Sequence, residues 1–395
     1  MAGRRRVTGS SVVLLCLLLV ALVACGGRST ADPARAAVQR VLDRRSAALL
    51  DRDAAAFAAT GVRTGFDRLR AVPLAAWSYR LGELKRSGAT ATADVELRYR
   101  LAGYDDGAVR VARTVRLGRA DGTWRVTSER PADGSGQQPW DQGTVRVVSG
   151  EHSLVLGVGQ STEALRGYAS LADRAVPAVS DTWDSAWAGR VVVVVPRSLE
   201  GMAGLLGSPA SSYRGIAAVT TGETGAPADA PADRVVVNPD AYGLLGAFGK
   251  QVVLTHETTH VATRVHTTAA TPLWLSEGYA DWVGYHGSGR TPADTAPELA
   301  RAVADGDVPD GLPADGDFGF TGDAGELARA YESGWMACRL IASRWGEARL
   351  DAFYRAVGAH EERDGAVEDA MGEVLGTTPE EFTLRWAAYL RAELG

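Results

Sequence analysis

The amino-acid sequence predicts an α+β protein of two units. A small one combines helix with antiparallel strands, and a larger one begins with a mixed sheet and ends in a mostly helical part. Three observations carry this expectation. The chain has 395 residues, more than one typical domain needs. Strand-like alternation falls in two stretches on either side of a segment rich in Gly, Gln, Asp and Pro, Pro131 to Gly143. From Gly246 onward the patterning is helical almost throughout.

Hydrophobic residues make up 46% of the chain, enough to build real cores, and the formal net charge is −6. Lys85 and Lys250 are the only lysines and no basic stripe is present, which excludes a nucleic-acid partner as the expected one. Arg4, Arg5 and Arg6 open a cationic start, followed from Val12 to Ala24 by an uncharged apolar run too short to span a bilayer comfortably. Residues 1–24 therefore read as a secretory signal peptide. Its end, Leu22-Val23-Ala24-Cys25-Gly26, resembles the lipobox of bacterial lipoproteins. That resemblance implies lipidation of Cys25, a tether over residues 25–35, and a protein held at the outer face of the cell membrane, since each buried methylene of a lipid contributes about 0.8 kcal/mol. Cys16 leaves with the signal in this reading and Cys25 is acylated. Cys338, in an apolar stretch, is then expected as a buried structural thiol without a disulfide partner.

Within 36–130, apolar positions from Ala36 to Phe57 recur at helical spacing and predict an amphipathic helix. Strands are expected next at Ala91 to Leu101 and Val109 to Leu117, and an Asp121-Gly122 turn leads into Trp124-Arg125-Val126. Helix followed by a curled antiparallel sheet resembles, by element order, the nuclear transport factor 2-like domains. Residues 131–143 read as a linker. In 144–395, strands are expected at Val145 to Val148, Ser153 to Val158, Arg190 to Val195, Gly215 to Thr221 and Arg234 to Asn238, and a helix at Ser161 to Trp183. Gly222 to Asp233 is too rich in Pro, Ala, Gly and Asp to pack. Thr378-Pro379-Glu380-Glu381 announces the last helix with a capping Thr, a first-turn Pro and an early Glu.

The decisive stretch is Thr255-His256-Glu257-Thr258-Thr259-His260. Two His at i and i+4 of a helix project from one face about 5–6 Å apart, close enough for both imidazoles to reach one tetrahedral zinc ion. Glu257, beside the first of them, is placed to take a proton from a water held by that metal and pass it to a leaving amine. A random chain of this composition shows the pattern with a probability of roughly half a per cent, so two incidental His are the poorer explanation.

A third ligand is needed. In Pro272-Leu273-Trp274-Leu275-Ser276-Glu277-Gly278-Tyr279-Ala280-Asp281-Trp282, a helix places Glu277 and Asp281 on one face. Glu277 is the preferred ligand, with Asp281 accepting a hydrogen bond from a ligating His and fixing its tautomer. His266 is the rival, six residues past His260. Its use requires a sharp backbone turn of the kind given to Gly, at the position where Thr263 stands.

These residues resemble the gluzincins, and within them the aminopeptidase N-like group and its peptidase MA-like relatives. The shared features are the two His on a first metal helix and Trp-Leu-x-Glu-Gly on a second, here Trp274, Leu275, Glu277 and Gly278. The resemblance covers about Arg234 to the C-terminus. It implies a zincin-like α+β catalytic domain, Zn2+ as cofactor and a peptide or protein substrate. It also carries Tyr331-Glu332-Ser333-Gly334 onto a segment whose Tyr stabilises the oxyanion, making Tyr331 a catalytic candidate beside Glu257. The segment by which aminopeptidase N-like enzymes capture a free amine has no counterpart. Gly215 to Val219 is the nearest edge strand, and exopeptidase specificity is unsupported. The expected function is a membrane-anchored zinc metallopeptidase. The alternatives are a lipoprotein that binds zinc or peptide on the same scaffold without turnover, and an interaction protein without metal. Asp305 to Asp323 is expected as a solvated acidic loop, and the isolated His152, His286 and His360 are assigned no role.

Overall fold

The computed structural model describes residues 32–222, 230–319 and 323–395. The stretch expected as a signal peptide and Cys25 lie outside them. The chain is mixed α+β, with a four-stranded and a five-stranded sheet among the described residues. No described helix is long and apolar enough to cross a membrane.

The first helices are α1 (Pro33–Leu50), α2 (Ala54–Ala59) and α3 (Thr64–Leu69). The single helix expected over Ala36 to Phe57 is broken in two. Arg52 adopts a left-handed φ of 55°, and the Asp53 side chain accepts from the backbone N–H groups of Ala55 and Ala56, which starts a new helix. Four antiparallel strands come next in sequence order, β1 (Leu74–Ser87), β2 (Thr90–Leu101), β3 (Val109–Ala120) and β4 (Thr123–Pro131). β1 is a strand for which the sequence yielded no separate expectation. It alternates inward Trp77, Tyr79 and Leu81 with exposed neighbours.

The segment expected as a linker is packed. Short helix α4 (Pro139–Gln142) buries Trp140 against the rings of Trp77 and Tyr99, at 5.3 and 5.1 Å between centroids. Asp141 accepts a bidentate pair of hydrogen bonds from the buried Arg113, both 2.7 Å. One Trp and one Asp thus anchor a stretch whose overall composition reads as unstructured.

The second sheet has the order β5-β6-β7-β9-β8, with strands Val145–Ser149, Ser153–Val158, Val191–Val195, Ala218–Thr220 (β8) and Arg234–Val237 (β9). β6, β7 and β9 run parallel, and β5 and β8 pair antiparallel at the two edges. Its central strands are apolar on both faces because both are covered. Val155, Val191, Val193, Val195, Val235 and Val237 pack with Leu165, Ala169, Ala172 and Val176 of α5 (Thr162–Thr182) and with Leu254. Leu154, Leu156, Val158, Val192, Val194 and Val236 belong instead to the cluster that fills the four-stranded sheet. α6 (Leu199–Leu206) adds Met202 to that side.

After β9 come α7 (Pro239–Gly243), α8 (Ala247–Thr263), α9 (Leu273–Tyr285), α10 (Pro292–Thr295), α11 (Pro297–Ala304), α12 (Ala324–Trp345), α13 (Glu347–Gly358), α14 (Ala366–Ala370) and α15 (Pro379–Leu394). Thr378 caps α15 through the Glu381 N–H, and Cys338 is fully buried in the core that α9 and α12 share. Two glycines set how closely these helices cross. A Cβ on Gly334 of α12 would lie 2.6 Å from the Trp274 carbonyl oxygen, and one on Gly278 of α9 would collide with the Gly334 carbonyl. Gly334→Ala is therefore expected to destabilise the protein by about 1–3 kcal/mol through overpacking, read as a lower denaturation midpoint at unchanged slope.

Candidate metal centre

α8 carries His256, Glu257 and His260, and α9 carries Glu277 and Asp281. A Cβ on Gly284 of α9 would be 3.3 Å from the Val252 carbonyl of α8, so small side chains let the two helices come together along their length. Their facing turns bring one atom each from His256, His260 and Glu277 within 4.8 Å of one another. His256 Nε2 is 3.2 Å and His260 Nε2 3.5 Å from Glu277 Oε2, and the two Nε2 atoms are 3.0 Å apart. This group of three is the one place among the described residues where His, Cys, Asp and Glu side chains gather in this way.

His256 Nδ1 donates to Asp281 Oδ1 at 2.8 Å. A carboxylate only accepts, so Nδ1 holds a proton and Nε2 is the atom left to face the cluster. Burial acts to lower the His256 pKa, but the Asp281 and Glu277 carboxylates outweigh it and hold it well above the usual imidazole value. Burial likewise acts to raise the Glu277 pKa, and His260 and His256 together drive it far below the usual carboxylate range. A carboxylate and two imidazole nitrogens converging in a half-buried site are the donor set of a tetrahedral zinc ion with one position open, and the residues present fit that ion.

Glu257 is 93% shielded from solvent, at 7% exposure, and one of its carboxylate oxygens accepts a 2.6 Å hydrogen bond from the Thr220 hydroxyl of β8. His266 lies elsewhere. Thr263 and Arg264 keep right-handed helical backbone and the chain runs on into a short 3₁₀ turn, so His266 packs edge-on to the Trp183 ring, 5.6 Å between centroids. It is not part of the three-residue cluster.

Tyr331 sits on α12, half-buried, its ring edge-on to Phe318 at 5.1 Å. Burial, and then the carboxylates of Glu277, Asp281 and Glu257, push its pKa up, so the phenol keeps its proton. Its neighbours in sequence have structural tasks. Glu332 accepts the Glu298 and Leu299 backbone N–H groups at 3.3 and 2.6 Å, at the start of α11, and burial lifts its pKa to about 7. Gly334 makes the close crossing with α9. Thr220 is the polar contact that sequence reasoning missed. Its strand was expected, but no spacing rule joins an edge strand to a helix 37 positions on.

These elements define an α+β protein with a candidate two-histidine, one-carboxylate metal centre. No protein-family model matches the chain, and no curated protein is significantly similar to it. Among solved structures, native yeast LTA4 hydrolase is similar at a TM-score of 0.37 and 11% sequence identity, over 81% of this chain and 60% of that one. The chain therefore spans less than two thirds of that protein's length.

Metal binding can be checked in two ways. Asp281→Asn is expected to weaken zinc binding by about 10–100-fold, measured by competition with a chromophoric chelator. Protons and zinc compete for His256 Nε2, and the raised pKa makes the proton the stronger competitor. Zinc affinity should accordingly fall by about tenfold per pH unit as pH drops, starting above the ordinary imidazole range near 6.5.

Proposed function

We propose that the chain is a zinc-dependent metallopeptidase of gluzincin type, held at the outer face of the bacterial membrane through a lipid on Cys25, with an N-terminal nuclear transport factor 2-like unit. The observation that carries the catalytic part is the convergence of His256, His260 and Glu277 beside the Glu257 carboxylate and next to a sheet edge that is free among the described residues. When bound, zinc supplies a Lewis acid that polarises a carbonyl oxygen and lowers the pKa of water to about 7. His256, His260 and Glu277 hold the ion, and Asp281 keeps His256 in the tautomer that presents Nε2. Glu257 accepts a proton from the attacking water and returns it to the leaving amine. Tyr331 donates to the oxyanion of the tetrahedral intermediate.

The hydrogen-bond pattern of β8 supports a place for the substrate. Ala217 and Thr221 bond to β9, through Asn238 N–H to Ala217 O and Thr221 N–H to Arg234 O. Ala218 and Thr220 lie between them and turn their own N–H and C=O groups to the edge that is unpaired among the described residues. An extended peptide can add there as a further strand, which supports a peptide rather than a small molecule as the substrate.

Glu257→Gln should lower kcat by about 10²–10⁴-fold with zinc content unchanged, and Tyr331→Phe by about 10²–10³-fold with little change in KM. Proteolytic profiling with a peptide library and metal analysis of the same samples make both measurements. A zinc-loaded wild type that cleaves nothing would leave a zinc- or peptide-binding protein in place of the enzyme.

A further inference from the structure

We infer that Thr220 is a positioning residue for Glu257, and that it ties the free sheet edge to the catalytic base; the inference rests on the hydrolase reading. Thr220 Oγ1 lies 2.6 Å from Glu257 Oε2 and 3.1 Å from the Glu257 backbone oxygen. A hydroxyl has one proton to donate, and the shorter, charge-assisted bond to the carboxylate takes it. No other described side chain donates to this carboxylate. Packing confines this 7%-exposed side chain, and the Thr220 hydroxyl is the contact that distinguishes its two carboxylate oxygens. Holding Oε2 leaves Oε1 as the oxygen free to receive a proton.

The same residue faces the substrate. Thr220 is the last position of β8, its backbone N–H and C=O turn to the unpaired edge, and its side chain reaches across to α8. A peptide strand pairing with this edge therefore touches the main chain of the residue whose hydroxyl sets the base. Strand occupancy and base orientation run through one Cα.

The test uses the full chain, zinc-loaded, as wild type, Thr220→Val and Thr220→Ser. Val keeps the branched shape and the strand preference and removes only the hydroxyl. Peptide hydrolysis is resolved into kcat and KM, and zinc stoichiometry is measured on each sample. Acetohydroxamate affinity is measured calorimetrically as a readout without turnover, because a hydroxamate chelating the metal gives its proton to the neighbouring base. Thr220→Val should lower kcat about ten- to a hundredfold, the effect of losing a hydrogen bond to a charged group. KM should stay within about twofold, zinc content unchanged, and acetohydroxamate should bind correspondingly more weakly. Thr220→Ser should regain both quantities to within about threefold of wild type. Wild-type kcat and hydroxamate affinity in Thr220→Val overturn the inference, and so does a Thr220→Ser variant as impaired as Thr220→Val. A zinc-loaded wild type that hydrolyses no peptide overturns the hydrolase reading alone, and the hydroxamate series still decides the role of Thr220.

Discussion

Three electron-pair donors aimed at one point set the constraint on which the rest of this half of the molecule depends. Nε2 of His256, Nε2 of His260 and Oε2 of Glu277 come within 3.0–3.5 Å of one another in a half-buried site. At such distances a proton or a cation must lie between the lone pairs. To make it, α8 and α9 must lie in close contact over several turns, and a third helix must hold α9 from behind. Gly284 supplies the first contact and the Gly278–Gly334 crossing the second. Gly278 is thus part of the same device as Glu277 before it, since a Cβ there would push α12, and Tyr331 with it, away from α9.

That device was largely legible in the sequence because it is helical, and helical geometry converts spacing into direction. His256 and His260 share a face at i, i+4, and so do Glu277 and Asp281. The absence of a Gly at position 263 translated directly into a helix that runs on and carries His266 elsewhere. The β-strands of the second sheet were legible for a different reason: both faces are buried, so β7 reads as an unbroken run of Val.

What stayed hidden depends on single residues. Arg52 breaks a helix whose apolar period continues across the break, because the local gain of an Asp53 cap outweighs the pattern. Trp140 and Asp141 order a segment whose neighbours are Gly, Gln and Pro, and one buried aromatic with one bidentate ion pair suffices. Thr220 meets Glu257 only because β8 is the edge strand next to α8, a fact of topology with no trace in composition. In the last two cases tertiary contact overrode local signal, and in the first a local cap overrode the apolar period.

The N-terminal sheet is bound up with the candidate metal centre in two ways. Six aliphatic side chains, Leu154, Leu156, Val158, Val192, Val194 and Val236, lie on the face of the mixed sheet whose cluster continues into the four-stranded one. At about 1.5–3 kcal/mol for each side chain taken out of water, that face contributes on the order of 10 kcal/mol, as much as the whole net stability of a typical domain. The second link is polar. Asp105, from the turn between β2 and β3, is buried and accepts from the Ala232 backbone N–H at 3.1 Å and from Arg234 at 2.9 Å. On the other side Arg264, just past α8, bonds the Pro231 carbonyl and Asp233, both at 2.9 Å. Residues 231–234 are therefore gripped between the N-terminal sheet and the end of α8, and they lead into β9, on which β8 is hung. A side chain held to a few tenths of an ångström needs a rigid support, and for the Glu257 carboxylate that support runs through Thr220, β8 and β9 to buried Asp105 in the other half of the chain.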